Sequence, residues 1–217
     1  MFIGTKELKV KHLLNIKLKF INLSSYSSNS MRIDNIDKQI LKALFNKGRE
    51  SLTNLEKKVF KSDQETMSHT GIAKRISKLE EMGILKVQAN TNINIMEYKA
   101  LFFLMEMENY EEMRKIINAY SECPRVFLLA QVTGQYNLIL GVLGQNIEVL
   151  QNYINHCGPT NKKGILHSAA IFVSDFILPK FMPLNLFSNE SMEDKCGNIC
   201  KNCEAYLEGK CEGCGNF

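Results

Sequence analysis

Residues 68–85 read SHTGIAKRISKLEEMGIL, and this stretch decides how the chain is organised. Ile72, Ile76 and Leu79 recur at i, i+4 and i+7, which predicts one apolar stripe on a helix that begins near Met67 or Ser68 and ends at Gly83. At 100° per residue, Thr70, Lys74, Ser77 and Lys78 fall opposite the stripe, with Arg75 on its flank. A slim, cationic, hydroxyl-bearing face suits a DNA major groove, where short side chains reach base edges and Lys or Arg meets guanine or phosphate. An ordinary solvated helix has the same composition, so the face taken alone fits both readings equally.

Upstream, Asp34 is a good N-cap for a helix over about 34–47, with Ile36, Ile40 and Leu44 on one face and Gly48 closing it. A short second helix carries Leu52, Leu55 and Val59, with Thr53 as its expected cap and Glu56 at the capping-box spacing. Three short helices with a long final one are compatible with many small bundles, and on these elements alone the groove-binding and solvated-face readings both stay open. The opening Asp34-x-x-Asp37-x-x-Ile40-Leu41 and the closing Arg75-Ile-x-x-Leu-Glu-x-x-Gly-Ile-Leu85 resemble the DNA-binding half of the Lrp/AsnC family, the leucine-responsive or feast/famine transcription regulators. The resemblance implies that Ser68, His69, Thr70, Lys74, Arg75, Ser77 and Lys78 are the DNA-contacting set. One departure stands out. Phe60 to Met67 (FKSDQETM) is about five residues longer than the family's short Gly-Leu-Ser turn, which leaves open whether the recognition helix shifts or the turn bulges outward.

Downstream the period changes. Ile84 to Val87 reads as a short strand leaving the helical unit, and Asn90 to Asn94 (NTNIN) as turn residues and a hinge. Ala100–Glu108 is expected as a strand, Met113, Ile116, Ile117 and Tyr120 as the apolar face of a helix, and Val126–Val132 and Tyr136–Val142 as a hairpin about Thr133-Gly134-Gln135. A second helix over Ile147, Leu150 and Ile154 and a strand over Ile165–Val173 complete the order βαββαβ, a ferredoxin-like unit with two helices on one sheet face. Phe102 and Leu104 alternate with Leu101, Phe103 and Met105, so the other sheet face is also apolar and is expected to be buried against a second copy, in a homodimer or higher homo-oligomer. This region resembles the family's effector-binding RAM domain. The resemblance implies that the loop residues Gly134, Gln135, Tyr136 and Asn137 contact a small-molecule effector such as an amino acid. A hairpin's need for a positive φ explains Gly134 equally well, and Gln135 stands where relatives carry an acidic residue.

The last 22 residues hold five of the seven cysteines, in the pattern Cys196-x3-Cys200-x2-Cys203-x7-Cys211-x2-Cys214. Two C-x2-C knuckles can aim four thiolates at one point, which suits tetrahedral Zn²⁺, and the fifth leaves room for a [4Fe-4S] cluster or for free thiols instead. Cys123 and Cys157 read as small buried apolar residues, and His12, His156 and His167 as surface or core side chains rather than ligands.

Charge is uneven. Residues 31–90 carry twelve Lys/Arg against eight Asp/Glu, whereas residues 91–217 carry ten against fourteen, so the basic half is the half expected to touch phosphate. Residues 1–30, with five Lys against Glu7 and a Ser-rich stretch, read as a disordered basic arm or as a start placed upstream of Met31, with a transit peptide as the other reading. The longest apolar runs are far below the roughly 20 residues of a membrane-crossing helix, so a cytoplasmic protein with no membrane partner is expected.

The expected fold is therefore α+β: a (winged) helix-turn-helix over 31–90, a ferredoxin-like domain over 96–182, and a small metal-binding tail over 190–217. The expected function is sequence-specific regulation of transcription on double-stranded DNA, without catalysis. Two alternatives accompany it. One is an enzyme similar to the sirohaem decarboxylases, which share the Lrp/AsnC architecture, recruiting His167 and Arg125. The other is a regulator whose true input is the metal or redox state of the tail.

Overall fold

The computed structural model describes residues 33–62, 65–184, 202–211 and 213. The expectations for residues 1–30, and for Cys196, Cys200 and Cys214, lie outside the described residues. The chain divides into a helical unit ending at Ala89 and a sheet unit beginning at Asn90.

In the helical unit, α1 (Asn35–Asn46) starts on a full capping box: the Asp34 carboxylate accepts from Asp37 N–H at 2.8 Å, and the Asp37 carboxylate accepts from Asp34 N–H at 3.3 Å. Helix α2 (Leu52–Glu56) is capped by Ser51, whose hydroxyl accepts from Asn54 N–H at 3.2 Å, and not by Thr53 as expected. Both residues are competent caps, and the choice falls on the one that turns Leu55 inward. The long connection is neither loop nor plain turn. It forms a hairpin of β1 (Phe60–Ser62) and β2 (Glu65–Thr66) before α3 (His69–Glu81). Gln39 of α1 fixes its base, donating to Phe60 O at 3.1 Å and accepting from Phe60 N–H at 3.0 Å, so one amide side chain acts as a third strand's peptide group. Ile40, Leu55, Val59 and Ile72 form the buried core, with Ile36, Leu44, Met67 and Ile76 packed around it. Gly83 takes φ +68° and closes α3. The strand expected at Ile84–Val87 is absent: those residues form no ladder, and the N–H groups of Ile84 and Leu85 turn back to Leu79 O at the end of α3, at 2.9 and 3.1 Å, so no wing follows α3 among the described residues.

In the sheet unit, β4 (Lys99–Met107), α4 (Tyr110–Tyr120), β5 (Val126–Gln131), β6 (Leu138–Gly144), α5 (Ile147–Asn152, extended by a π-turn to Cys157) and β7 (Ile165–Val173) follow the expected βαββαβ order. The four strands are all antiparallel in the spatial order β5-β6-β4-β7, the ferredoxin-like arrangement. Strand alternation sorts the side chains. Leu101, Phe103, Met105 and Met107 face the helices and are buried with Leu138, Leu140 and Val142 beneath Met113, Ile116, Tyr120, Leu150 and Tyr153. Phe102 and Leu104 face the other way and stay half-exposed, with Ile171 of β7 exposed beside them. On this open face Phe127 stacks edge-on to Phe102, with centroids 5.5 Å apart, over Gly141, where a Cβ would meet Phe127 at 2.7 Å.

The NTNIN segment does more than turn. Within it β3 (Thr91–Asn92) pairs with β8 (Phe181–Met182), so the two ends of the sheet unit are tied to each other. Ile93 and Met182 then bury Ala100 and Leu143 at one end of the open face. A two-residue pairing across some ninety positions leaves no local periodicity for the sequence to display.

Candidate DNA-binding face and ligand loop

Helix α3 is oriented by its buried Ile72 and Leu79, which leaves Thr70, Lys74, Ser77 and Lys78 exposed along one side. None of the described ion pairs takes Lys74 or Lys78. At the helix start, Ser68 is the N-cap and its hydroxyl accepts from Gly71 N–H at 3.3 Å. His69 Nε2 lies 2.7 Å from the Glu56 carboxylate, so the residue expected to close a capping box on α2 instead reaches forward to α3.

Arg75 does not belong with the exposed lysines. Its Nη1 donates to Asp34 at 2.6 Å and to Asp37 at 2.7 Å. Bonding from the Asp37 N–H, and then from Arg75, holds the Asp34 carboxyl below its ordinary range, while the two carboxylates, Asp37 foremost, raise the affinity of the guanidinium for its proton. The expected phosphate contact is a clamp: it locks the N-terminus of α1 to the middle of α3. The motif Asp-x-x-Asp…Arg that carries the family resemblance is thus internal architecture of this unit.

The loop between β5 and β6 divides in the same manner. Gly134 sits at φ +144°, a region that L side chains rarely adopt, and Gln135 is exposed beside it with Tyr136 half-buried. Asn137 turns inward. Its side chain accepts from Met107 N–H at 2.8 Å and donates to Met107 O at 3.1 Å, while its own N–H donates to Met105 O at 2.9 Å. The carboxamide continues the β4–β6 ladder by one step, so Asn137 holds the loop at its base rather than offering its amide to a ligand.

The residues named for the enzyme reading are not brought together. Arg125 O accepts from Leu143 N–H, and Leu143 pairs with Ala100 at the start of β4, whereas His167 pairs with Glu106 at its far end, its Nδ1 3.2 Å from that carboxylate. Most of a nine-residue strand separates them.

In the tail, α6 (Glu204–Leu207) begins directly after Cys203, Gly209 takes φ +71°, and Cys211 N–H returns to Ala205 O at 3.0 Å. Cys203 and Cys211 therefore belong to one tight turn. Cys123 is buried as expected, whereas Cys157 is only half-buried, packed against the sheet core.

No described helix is long and apolar enough to cross a membrane. No family model matches the chain. It is 25% identical over 127 residues to the HTH-type transcriptional regulator FL11 of Pyrococcus horikoshii, an alignment covering 58% of this chain and 80% of that protein. Its fold superposes on AsnC of E. coli with a TM-score of 0.54 at 19% identity, covering 68% of this chain and 95% of the other. A transcriptional regulator of Neisseria meningitidis, crystallised as an L-Met complex, superposes with a TM-score of 0.55 at 17% identity, covering 67% of this chain and 92% of the other. The chain is thus similar in sequence to the HTH-type transcriptional regulator FL11, and it shares the fold of the solved AsnC and Neisseria regulator structures.

Proposed function

We propose that the chain regulates transcription by binding duplex DNA through α3, and that its sheet unit assembles copies and takes a small effector, an amino acid by resemblance to its relatives. The observation that carries this reading is the exposed row Thr70, Lys74, Ser77 and Lys78, which the core of the helical unit aims outward and the described ion pairs leave unused. The lysines supply phosphate or guanine contacts and so a strong salt dependence, and the hydroxyls supply base preference. The names of the relatives support the same reading. Arg75 serves by fixing the angle between α1 and α3, while Ser68 and His69 cap and brace the entry of the helix.

The half-exposed apolar face bearing Phe102, Leu104 and Ile171 supports a homodimer built sheet to sheet. Gly134, Gln135 and Tyr136 remain the effector candidates, with Asn137 as the anchor of their loop. The bound L-Met of the Neisseria regulator supports an amino acid as ligand. Four of the five tail cysteines, those of the two C-x2-C knuckles, are proposed to hold Zn²⁺, with Cys196 in excess; the tight turn joining Cys203 to Cys211 supports convergence of thiolates, and a [4Fe-4S] cluster is the alternative occupant.

Selection of bound DNA from a random library, with and without an amino-acid mixture, tests the reading. A pseudo-palindrome whose half-sites lie about one helical turn apart, or a multiple of that, is expected. Failure to enrich any sequence at moderate salt would overturn it.

A further inference from the structure

Strand β7 (Ile165–Val173) is an outer strand of the sheet: it pairs with β4 and, among the described residues, with no strand beyond it. A strand so placed presents a row of N–H and C=O groups that another strand can take up, and folded proteins blunt such edges with charge, Pro, bulges or a covering element. The opposite edge is blunted. Strand β5 has six residues, and its register breaks between Val126 and Leu128. Strand β7 shifts register only at its start, then runs unbroken from His167 opposite Glu106 to Val173 opposite Ala100. That stretch, HSAAIFV, holds no Pro and no Lys, Arg, Asp or Glu. Nor is it covered. Leu101 and Phe103 of β4 are buried beneath the helices, whereas their partners Phe172 and Ala170, on the same side of the sheet, are exposed. On the other side Ile171 is 49% exposed. The helical layer therefore stops at β4, which leaves β7 open on both faces as well as along its edge.

We propose that this edge pairs with the same edge of a second copy, antiparallel about a two-fold axis through Ala170, so that two four-stranded sheets become one. The strand's own sequence selects that partner. Ala170 is the midpoint of His167–Val173, so an antiparallel self-pair that uses the whole unbroken stretch sets Ala170 opposite its own copy. In that register Ile171 meets the partner's Ala169, Phe172 meets the partner's Ser168, and Val173 meets the partner's His167. The bulky Ile171 and Phe172 each face a small side chain, and no like charges come together. Elsewhere the sheet unit is less suited to its own copy, because residues 91–217 carry ten Lys/Arg against fourteen Asp/Glu and are acidic as a whole. The contact goes beyond the sheet-to-sheet dimer and does not rest on it. Ala170 lies on the helix side of the sheet, with Phe103, and Leu104 on the open side. A chain that makes both contacts joins its dimers to one another.

The test is sedimentation velocity of the full chain in reductant, with charges of both signs placed on the axis. A Lys or a Glu there faces its own like charge across the strand pair, so Ala170→Lys and Ala170→Glu should each weaken self-association by about tenfold or more. An equimolar mixture of the two variants should restore it, since the axis then joins opposite charges, and that recovery shows that both still fold. Parent-like assembly in each variant alone overturns the proposal. So does a loss that mixing leaves unrepaired in variants whose circular dichroism matches the parent. Leu104→Lys reports on the open face separately: an assembly that it breaks, and that ignores charge at Ala170, keeps the face contact and loses the edge. The parent protein supplies a check that needs no variant. Its amide exchange over 167–173 should slow as concentration rises through the association range, and exchange there that ignores concentration overturns the edge contact however the variants behave.

Discussion

The helical and sheet units solve the same problem with different means. Each has to hold still the segment that is proposed to meet a ligand. In the helical unit the segment is α3, fixed by a core cluster of four buried residues and by the Asp34–Asp37–Arg75 clamp. In the sheet unit it is the loop 132–137, hung from a core cluster of twelve buried residues by the Asn137 carboxamide. Small core and ion pairs stand on one side, large core and a neutral amide on the other. In both units the residue that looks most like a binding group in the motif is engaged as a bracket, and the contacts proposed for a ligand are its neighbours.

The sharpest way to break this comparison is to reverse charge on the face while leaving the bracket alone. Lys74→Glu with Lys78→Glu should weaken DNA binding by roughly 100-fold or more near 100 mM salt and flatten the slope of log affinity against log salt by about two. The helical signal and the thermal midpoint should stay put. Retained affinity, measured by fluorescence anisotropy on a selected site, would place the interface elsewhere.

Arg75→Ala makes the opposite cut. Two charge-assisted bonds are lost, partly screened because Asp34 is half-exposed, and the helical unit should lose about 1–2 kcal/mol. In a denaturant titration that appears as an earlier midpoint, while folded protein keeps its salt slope on DNA. A slope reduced by one with unchanged stability would return Arg75 to the phosphate-contacting set.

These two substitutions also mark where the sequence is readable and where it is not. Periodicity locates α1, α3, α4 and the four long strands because each repeats a local rule, and the exposed side of α3 follows from its apolar stripe. Partners lie beyond such rules. Arg75 meets carboxylates 38 and 41 positions away and Asn137 meets a peptide group 30 positions away, so their types can be read but not their roles. The hairpin at Phe60 escapes for a related reason: FKSDQETM has little β-branched character, and the strand is held by Gln39 from outside it. Arg125 gives no signal beyond its own charge, since the acceptors that make sense of it lie at Gln145 and at Cys211 and Gly213.

On the sheet side, Asn137→Ala should cost about 1–2 kcal/mol, since it leaves Met107 N–H and C=O to find water. Asn137→Asp, which can accept from Met107 N–H but not donate to its carbonyl, should cost at least as much near neutral pH. If the alanine variant instead keeps full stability and loses only its response to an amino acid, Asn137 is a ligand contact after all.

The smallest expected effect tests why the helical unit leans on charge at all. Glu50 bonds Lys58 and Asn54, with Lys47 3.5 Å away, and these partners, Lys58 foremost, hold its carboxyl down to about 2. A carboxyl depressed in the fold lends stability that is complete above its ordinary value of 4.5 and disappears as the pH falls towards 2. Glu50→Gln has no proton to take up in that window, so the acid-side loss of stability should be shallower in the variant than in the parent, with the two curves converging near pH 2. The signal belongs to the helical unit, whose unfolding can be followed separately by hydrogen exchange at Leu55 and Val59, both buried beside the cluster. Parallel acid limbs in the two proteins would mean that the four-residue core carries the unit alone, and that the ion pairs around it set geometry without contributing to stability.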